Sequence, residues 1–381
     1  MRGLFKILFI PILSLMFMAL GSGLFTTFVS VRLDLEGISS TSIGVIASSF
    51  NAGILAGAIL SPSLAVKFGC MRSLIAIYAL NTIVILLHLF WIDPFYWAFL
   101  RFFSGIALGS FFTVMESWFL KEGSPSMRSQ ALSLYLIAYY IAVSGGQLLL
   151  SAADPLLNSL FYLSAAFSAS AAIPLLLGTK NAPTFEKKAI SPTPSSRLPY
   201  IGFFCAMASG IVIASIYGLI PFYGNAIGLS LGQISLFMCV IIAGGFLFQW
   251  PLAKWSDISG HSRVLKVVCL LAMLCSLSSA AIDGFSFSWL LVFGWLFGGA
   301  SFALYPLSLA FLCDGVEDAR LAHTVGKFVI AYSIGAILGP LGTSLCIKQF
   351  GAPGLFYFLA TVSALSGLIT FLKKSKGSAT N

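Results

Sequence analysis

Three ionisable side chains, Arg101, Glu116 and Lys327, lie within long apolar segments of this 381-residue chain. An ionisable group inside a membrane span costs roughly a few kcal/mol, so it usually has a functional reason to be there. A cation in such a place can bind an anionic solute. A carboxylate taken out of water favours its proton-bound form. These residues therefore predict solute binding or proton uptake.

Arg101 and Glu116 share one predicted helix, 15 residues apart. They are about 22 Å apart along the helix axis and about 60° apart around it, so they share a broad face but cannot touch. Glu116 is the only acid well inside a predicted span, which makes it the leading candidate for carrying a coupling proton. Two alternatives remain: Glu116 is interfacial near Lys121, or Arg101 extends to the outer head groups.

The composition places most of the chain in lipid. Hydrophobic residues make up 59% and charged residues 9%, and the mean hydropathy is +0.99. Too few charges are present to cover a soluble protein of this size. The net charge of +9 comes from cations in short loops, so we expect no nucleic-acid partner. The seven cysteines form no CxxC pair and no histidine stands at zinc spacing, so we expect neither a metal nor a cofactor.

Breaks at charges, Gly and Pro predict twelve membrane-spanning helices, which makes this an all-α integral membrane protein. The apolar run from Ile7 is too long for a signal peptide and is interpreted as an uncleaved first helix. The polar, Pro-rich segment 178–199 predicts a linker between lobes 1–177 and 200–381. The predicted spans are 7–31, 40–66, 73–92, 95–119, 130–151, 156–177, 200–223, 230–252, 264–282, 286–312, 322–346 and 353–372.

The second half of the chain repeats the first at a shift of about 192 residues. Tyr139 falls on Tyr332 and Gly146 on Gly339, both at a shift of 193, and Gly105 falls on Gly298 at the same shift. A duplicated set of apolar segments is typical of transporters with two lobes related by a pseudo-twofold axis.

Loop cations predict the orientation. With the N-terminus inside, seventeen cations lie in cytoplasmic segments, against only Arg32 and Lys348 on the other side. The positive-inside rule therefore places both termini and the linker in the cytoplasm. The seventeen are Arg2, Lys6, Lys67, Arg72, Lys121, Arg128, Lys180, Lys187, Lys188, Arg197, Lys254, Arg263, Lys266, Arg320, Lys373, Lys374 and Lys376.

The organisation of the chain resembles that of the major facilitator superfamily: six plus six spans, a central linker and two basic loops. The second loop, Asp257 to Arg263, carries the family's acid, glycine and basic residues, whereas the first, Val66 to Arg72, lacks the acid. The resemblance implies that these loops steady the outward-facing state, with most of the weight on Asp257. The predicted gating residues are Lys67, Gly69, Arg72, Asp257, Gly260 and Arg263.

Arg101, Gly105 and Gly109 are similar to the family's helix-4 signature, whose arginine is linked to proton coupling. The segments 209–223, 249–251 and 303–306 more narrowly resemble the bacterial YcaD-like transporters. The resemblance implies a proton-coupled secondary transporter that moves a small solute by alternating access. It also implies a monomer in the bacterial cytoplasmic (inner) membrane.

In this superfamily helices 1, 4, 7 and 10 line the cavity, which favours six residues as facing the cargo: Thr26, Thr27, Arg101, Glu116, Tyr217 and Tyr305. The alternative for each tyrosine is packing or interfacial anchoring. Lys327 lies at a depth similar to that of Glu116. The resemblance therefore allows a Glu116–Lys327 ion pair when the cytoplasmic ends converge; otherwise Lys327 extends to the inner surface.

Other function classes lack their motifs. The chain has no GxxxxGK[ST], HExxH or GxSxG sequence, so we expect neither ATP-driven pumping nor an enzyme. The remaining alternative to transport is a transport-inactive membrane receptor or scaffold that has a transporter fold. Cargo and direction stay open.

Overall fold

The computed structural model describes residues 2–122, 128–178, 200–281, 286–313 and 318–372, and within these ranges it is helical with short turns. Twelve helical segments in them are long and apolar enough to cross a membrane, which confirms the all-α membrane fold. The predicted linker, apart from Gly178, lies outside the described residues.

In the part of the chain that the structure describes, thirteen α-helices build the twelve spans, because the sixth span is divided between α6 and α7 and the seventh to twelfth spans are α8 to α13. The helices are α1 (Arg2–Leu35), α2 (Ser40–Phe68), α3 (Cys70–Leu87), α4 (Pro94–Glu122), α5 (Arg128–Leu148), α6 (Ser159–Ser170), α7 (Ala172–Gly178), α8 (Tyr200–Ala226), α9 (Leu231–Ser259), α10 (His261–Ala280), α11 (Phe287–Cys313), α12 (Asp318–Phe350) and α13 (Gly354–Leu372). A 3-10 turn, Leu149–Ala152, follows α5.

The two predicted basic loops each shrink to a single glycine. Gly69 (φ 82°) joins α2 directly to α3, and Gly260 (φ 86°) joins α9 to α10. A positive φ favours glycine, and each glycine N–H also closes the last turn of the preceding helix, on Ala65 O and Ser256 O. The correction to the prediction is that Lys67 and Asp257 belong to helix ends.

The repeat is visible in how helices 2 and 4 of each half pack. A Cβ on Gly105 would collide with the Phe50 carbonyl, and a Cβ on Gly298 would collide with the Ile241 carbonyl. Phe50 and Ile241 are themselves 191 residues apart. Glycine thus allows the same close backbone approach between α4 and α2 as between α11 and α9.

A second pair of contacts repeats between α1 and α5 and between α8 and α12. Gly146 packs against the Leu20 carbonyl, and Gly339 packs against the Ile211 carbonyl. Leu20 and Ile211 are again 191 residues apart. The two halves, α1–α7 and α8–α13, therefore share a packing plan.

The halves meet at one end of the molecule, here named the sealed end. Ser30 Oγ donates to Gly218 O at 2.9 Å, and Asn225 Nδ2 donates to Asp34 Oδ2 at 2.6 Å. Gly44 of α2 lies so close to α12 that an added Cβ would overlap Ser344. The opposite end carries Gly69 and Gly260, and Glu116, which lies on α4 toward that end, is exposed. It is named the open end.

Candidate functional site

A cavity of about 460 Å³ lies between the halves. Helices α1, α2, α4 and α5 line it from the first half, and α8, α9, α11 and α12 line it from the second. Its volume is in the range of small-molecule sites, and most of its lining side chains are apolar or aromatic. The lining from α2, α5, α9 and α12 extends beyond the four helices expected from the sequence.

Six tyrosines, here named the tyrosine wall, line the cavity: Tyr135, Tyr139, Tyr140, Tyr217, Tyr305 and Tyr332. Phe302 joins them across the halves, with its ring centroid 6.3 Å from that of Tyr140 and 5.9 Å from that of Tyr217. Tyr305 and Tyr332 meet edge to face at 4.9 Å. The wall offers a cargo aromatic faces and phenol hydroxyls together.

Tyr139 and Tyr332 were aligned by the sequence repeat, and both face the cavity. The repeat was therefore the signal that could have identified α5 and α12 as cavity helices.

Glu116 lines the cavity and its side chain is exposed there. The hydroxyl of Tyr135 donates a hydrogen bond to its carboxylate, and Tyr305 from the second half lines the same cavity. The cavity thus holds a carboxylate among phenol hydroxyls contributed by both halves. This arrangement can bind and release a proton while the hydroxyls keep the carboxyl group hydrogen-bonded.

Arg101 lies on the same helix toward the sealed end, and it is only 3% exposed. Its guanidinium carbon lies 3.8 Å from the ring centroid of Phe50 and 5.4 Å from that of Phe25. It lines the cavity, and its Nε has no hydrogen-bond partner among the residues that the structure describes. The side chain therefore points into the bundle rather than out to a head-group surface.

A small side pocket of about 10 Å³ lies beside Arg101, where Asn81 and Ser104 also contribute. This is room for about one water molecule. Asn81 also donates to Ser168 Oγ at 3.0 Å. Nothing in the sequence alone marked Asn81 as a neighbour of Arg101, because span 3 was not expected to reach the cavity.

Of the two adjacent threonines, Thr26 lines the cavity and Thr27 does not. Thr27 is fully buried and donates a hydrogen bond to Gln147 Oε1. Gln147 Nε2 in turn donates to Gly23 O at 3.1 Å. Thr27 therefore ties α1 to α5, which corrects its expected place facing the cargo. Tyr217 and Tyr305 do line the cavity.

Lys327 lies on α12 just outside the cavity lining. It is partly buried, and among the described residues of α12 the lining begins two residues further on, at Val329. Lys327 therefore lies toward the open end of the cavity wall. The Glu116–Lys327 ion pair stays a prediction.

The predicted gating residues lie at the open end. Lys67, Arg72, Asp257 and Arg263 are exposed, and Lys67 Nζ lies over the Phe68 ring at 5.1 Å. Across the Gly260 joint, Ser256 Oγ and His261 Nδ1 are hydrogen-bonded at 2.6 Å. Among the described side chains, Asp257 makes no ion pair in this conformation.

A family profile and a curated relative both match this chain over most of its length. The family profile of the Major Facilitator Superfamily matches residues 11–285 and 202–381. A curated relative from Escherichia coli O45:K1, "Uncharacterized MFS-type transporter YcaD", is 30% identical over 363 residues. That alignment covers 92% of this chain and 91% of the relative.

Solved structures share the fold at low sequence identity. The nucleoside transporter NupG superposes with a TM-score of 0.77 at 16% identity and covers 95% of this chain and 96% of its own. A D-xylose-proton symporter superposes with a TM-score of 0.75 at 14% identity and covers 96% of this chain and 97% of its own.

Proposed function

Because this chain belongs to the major facilitator superfamily and is a multi-pass membrane transporter of that family, we propose that it moves a small solute by proton-coupled alternating access. The observation that carries the proposal is the cavity between the two halves, which is closed at the sealed end while Glu116 is exposed in it. We place the protein in a bacterial cytoplasmic membrane, as a monomer.

The loop cations support an orientation in which the open end is cytoplasmic. Lys67, Arg72, Lys254 and Arg263 lie at this end, whereas Asp34 lies at the sealed end. By the positive-inside rule the termini and the linker are then cytoplasmic. The conformation described here is accordingly inward-open, and transport requires a second conformation in which the seal at α2 and α12 opens.

Glu116 is proposed to carry the coupling proton. In the inward-open conformation its carboxylate exchanges protons with the cytoplasm through the cavity. In the outward-open conformation the cavity faces the other side, so the same group exchanges protons there. The D-xylose-proton symporter of the same fold supports coupling of this kind.

Gating is proposed to use two charge contacts at the open end. Glu116 and Lys327 pair when the inner ends of α4 and α12 converge. Asp257 and Arg263 form the second contact, which also stabilises the closed cytoplasmic side. Protonation of Glu116 weakens the first contact, because a neutral carboxyl no longer attracts the ammonium group. Asp257 makes no ion pair among the described residues, which supports a second contact that is broken in this conformation.

Flux through purified protein in liposomes tests the proposal. Compounds that stabilise the protein in a screen of metabolites and drugs are loaded at equal concentrations inside and outside, and a pH gradient is imposed. We expect a pH gradient to concentrate at least one binder against its own gradient. Binding without flux for every binder would instead favour the receptor or scaffold.

A further inference from the structure

We propose that the cargo is an apolar, ring-sized molecule that carries one monovalent oxyanion group, such as a carboxylate. Arg101 is the residue that binds this group. This inference rests on the proposed transport function, because it names the class of cargo for the same cavity.

Arg101 is a buried cation for which the described residues provide no anionic partner. It is 3% exposed, its Nε makes no hydrogen bond to a described residue, and its guanidinium lies against the faces of Phe25 and Phe50. A buried charge is usually paired, because an unpaired one loses its hydration without compensation. A transporter cavity can supply the missing partner in its cargo.

The contact with Phe50 leaves the guanidinium able to bind. At 3.8 Å from the ring centroid, the guanidinium uses its flat face against the ring. The N–H donors of a guanidinium lie in its plane, so its edge stays available for a carboxylate in a two-pronged hydrogen bond. The adjoining side pocket of about 10 Å³ is too small for an oxyanion, so the anion must arrive from the main cavity.

The other lining residues limit the net charge of the cargo and favour an apolar uncharged part. Among the described lining residues, Arg101 is the one cation and Glu116 the one acid. A single guanidinium matches a single negative charge, whereas a dianion would bring a second charge that no lining cation neutralises. Phe50, Phe112, Phe302 and the tyrosine wall surround the remaining space and favour an apolar ring.

Three analogues that share one body test this class: 2-naphthoate, 2-naphthamide and 2-naphthylmethylammonium. Binding is measured by titration calorimetry on the purified full chain in detergent at pH 7. We expect the carboxylate to bind about 10- to 100-fold more tightly than the amide, the range for a hydrogen bond to a charged group. The ammonium analogue should bind more weakly still.

Variants then assign the preference to Arg101. Arg101→Gln should bring the carboxylate and amide affinities to within about threefold of each other, and Arg101→Lys should keep part of the preference because it keeps the charge. Lys254→Gln removes an exposed cation outside the cavity and should leave the ratio unchanged.

Several outcomes overturn the proposal. These are no saturable binding of 2-naphthoate to the folded wild type, equal binding of carboxylate and amide, or a preference that persists in Arg101→Gln. If that variant does not fold, the wild type tests the class of cargo and Arg101→Lys tests the residue: an undiminished preference for the carboxylate in Arg101→Lys would overturn the assignment to Arg101. Carboxylate-selective binding without flux would support this inference and reject the proposed transport. Flux of neutral cargo alone would support transport and reject this inference.

Discussion

Glu116 is the residue at which solute movement and proton movement are proposed to meet. Glu116→Gln keeps the size and the hydrogen bonding to Tyr135 but cannot take up or release a proton. We expect accumulation driven by a pH gradient to fall to the background of empty liposomes, while exchange of cargo for cargo continues. Paired uptake and counterflow assays measure both. Concentration of cargo by the variant would reject Glu116 as the coupling group.

The proposed pair of Glu116 with Lys327 predicts a charge swap. Glu116→Gln and Lys327→Gln should each shift the population toward the inward-open state, because each removes one partner of the contact that closes the open end. The double variant Glu116→Lys with Lys327→Glu should restore part of the closed population. Spin labels at Val66 and Trp255, both exposed near the open end, report the distance between halves.

If neither single variant changes the distance distribution between those labels, the pair is rejected. Lys327 is then the residue that extends to the inner surface.

The elements of this protein were largely predictable, but the faces they turn to the cavity were not. Long apolar runs marked the twelve spans because lipid requires about 20 apolar residues in each. Thr26 and Thr27 show what the sequence could not give. They are neighbours about 100° apart on the helix, and one faces the cavity while the other faces α5. Where a helix is apolar all round, composition does not fix its rotation.

The ionisable residues of the cavity could be identified from the sequence, whereas several of the helices that line it could not. The sequence identified Arg101 and Glu116 because ionisable groups are rare in spans. It could not identify the α2 and α9 walls, because lining depends on how the two halves pack. Tyr139 and Tyr332 were visible only as a repeated position.

At the scale of helix pairs, the glycine contacts predict matched effects in the two halves. Gly105→Ala and Gly298→Ala each push a Cβ into the backbone carbonyl of the neighbouring helix. We expect each to destabilise the fold by about 1–3 kcal/mol, as overpacking does. Gly326→Ala is the control, because its Cβ would meet no atom of the described residues within 4 Å and alanine favours a helix.

Detergent unfolding midpoints of the three variants check this prediction. Equal midpoints for Gly105→Ala and Gly326→Ala would show that the close approach does not limit stability.

At the scale of the whole molecule, the seal between α2 and α12 should control which end is open. Gly44→Ala places a Cβ against Ser344, whose Cβ would lie 2.6 Å away. We expect the variant to favour the conformation in which these helices separate, and Ser344→Gly to reverse part of the effect by removing that side chain. Spin labels at Val45 and Leu345, both exposed, measure the separation.

An unchanged distance between those labels in Gly44→Ala would mean that the seal tolerates the added methyl group. The outward-open state would then have to be limited by other contacts, such as the hydrogen bond between Asn225 and Asp34.

The cavity also decides where the membrane voltage falls. A cavity that opens to the cytoplasm and fills with water conducts, so in the inward-open state most of the electrical potential drops between the floor of the cavity and the membrane surface at the sealed end. A charge that crosses the full potential gains about 2.3 kcal/mol per 100 mV. When the halves exchange which end is open, the same carboxylate moves electrically from the inner side to the outer side without a large physical displacement. An anionic Glu116 therefore makes the conformational change itself sensitive to voltage.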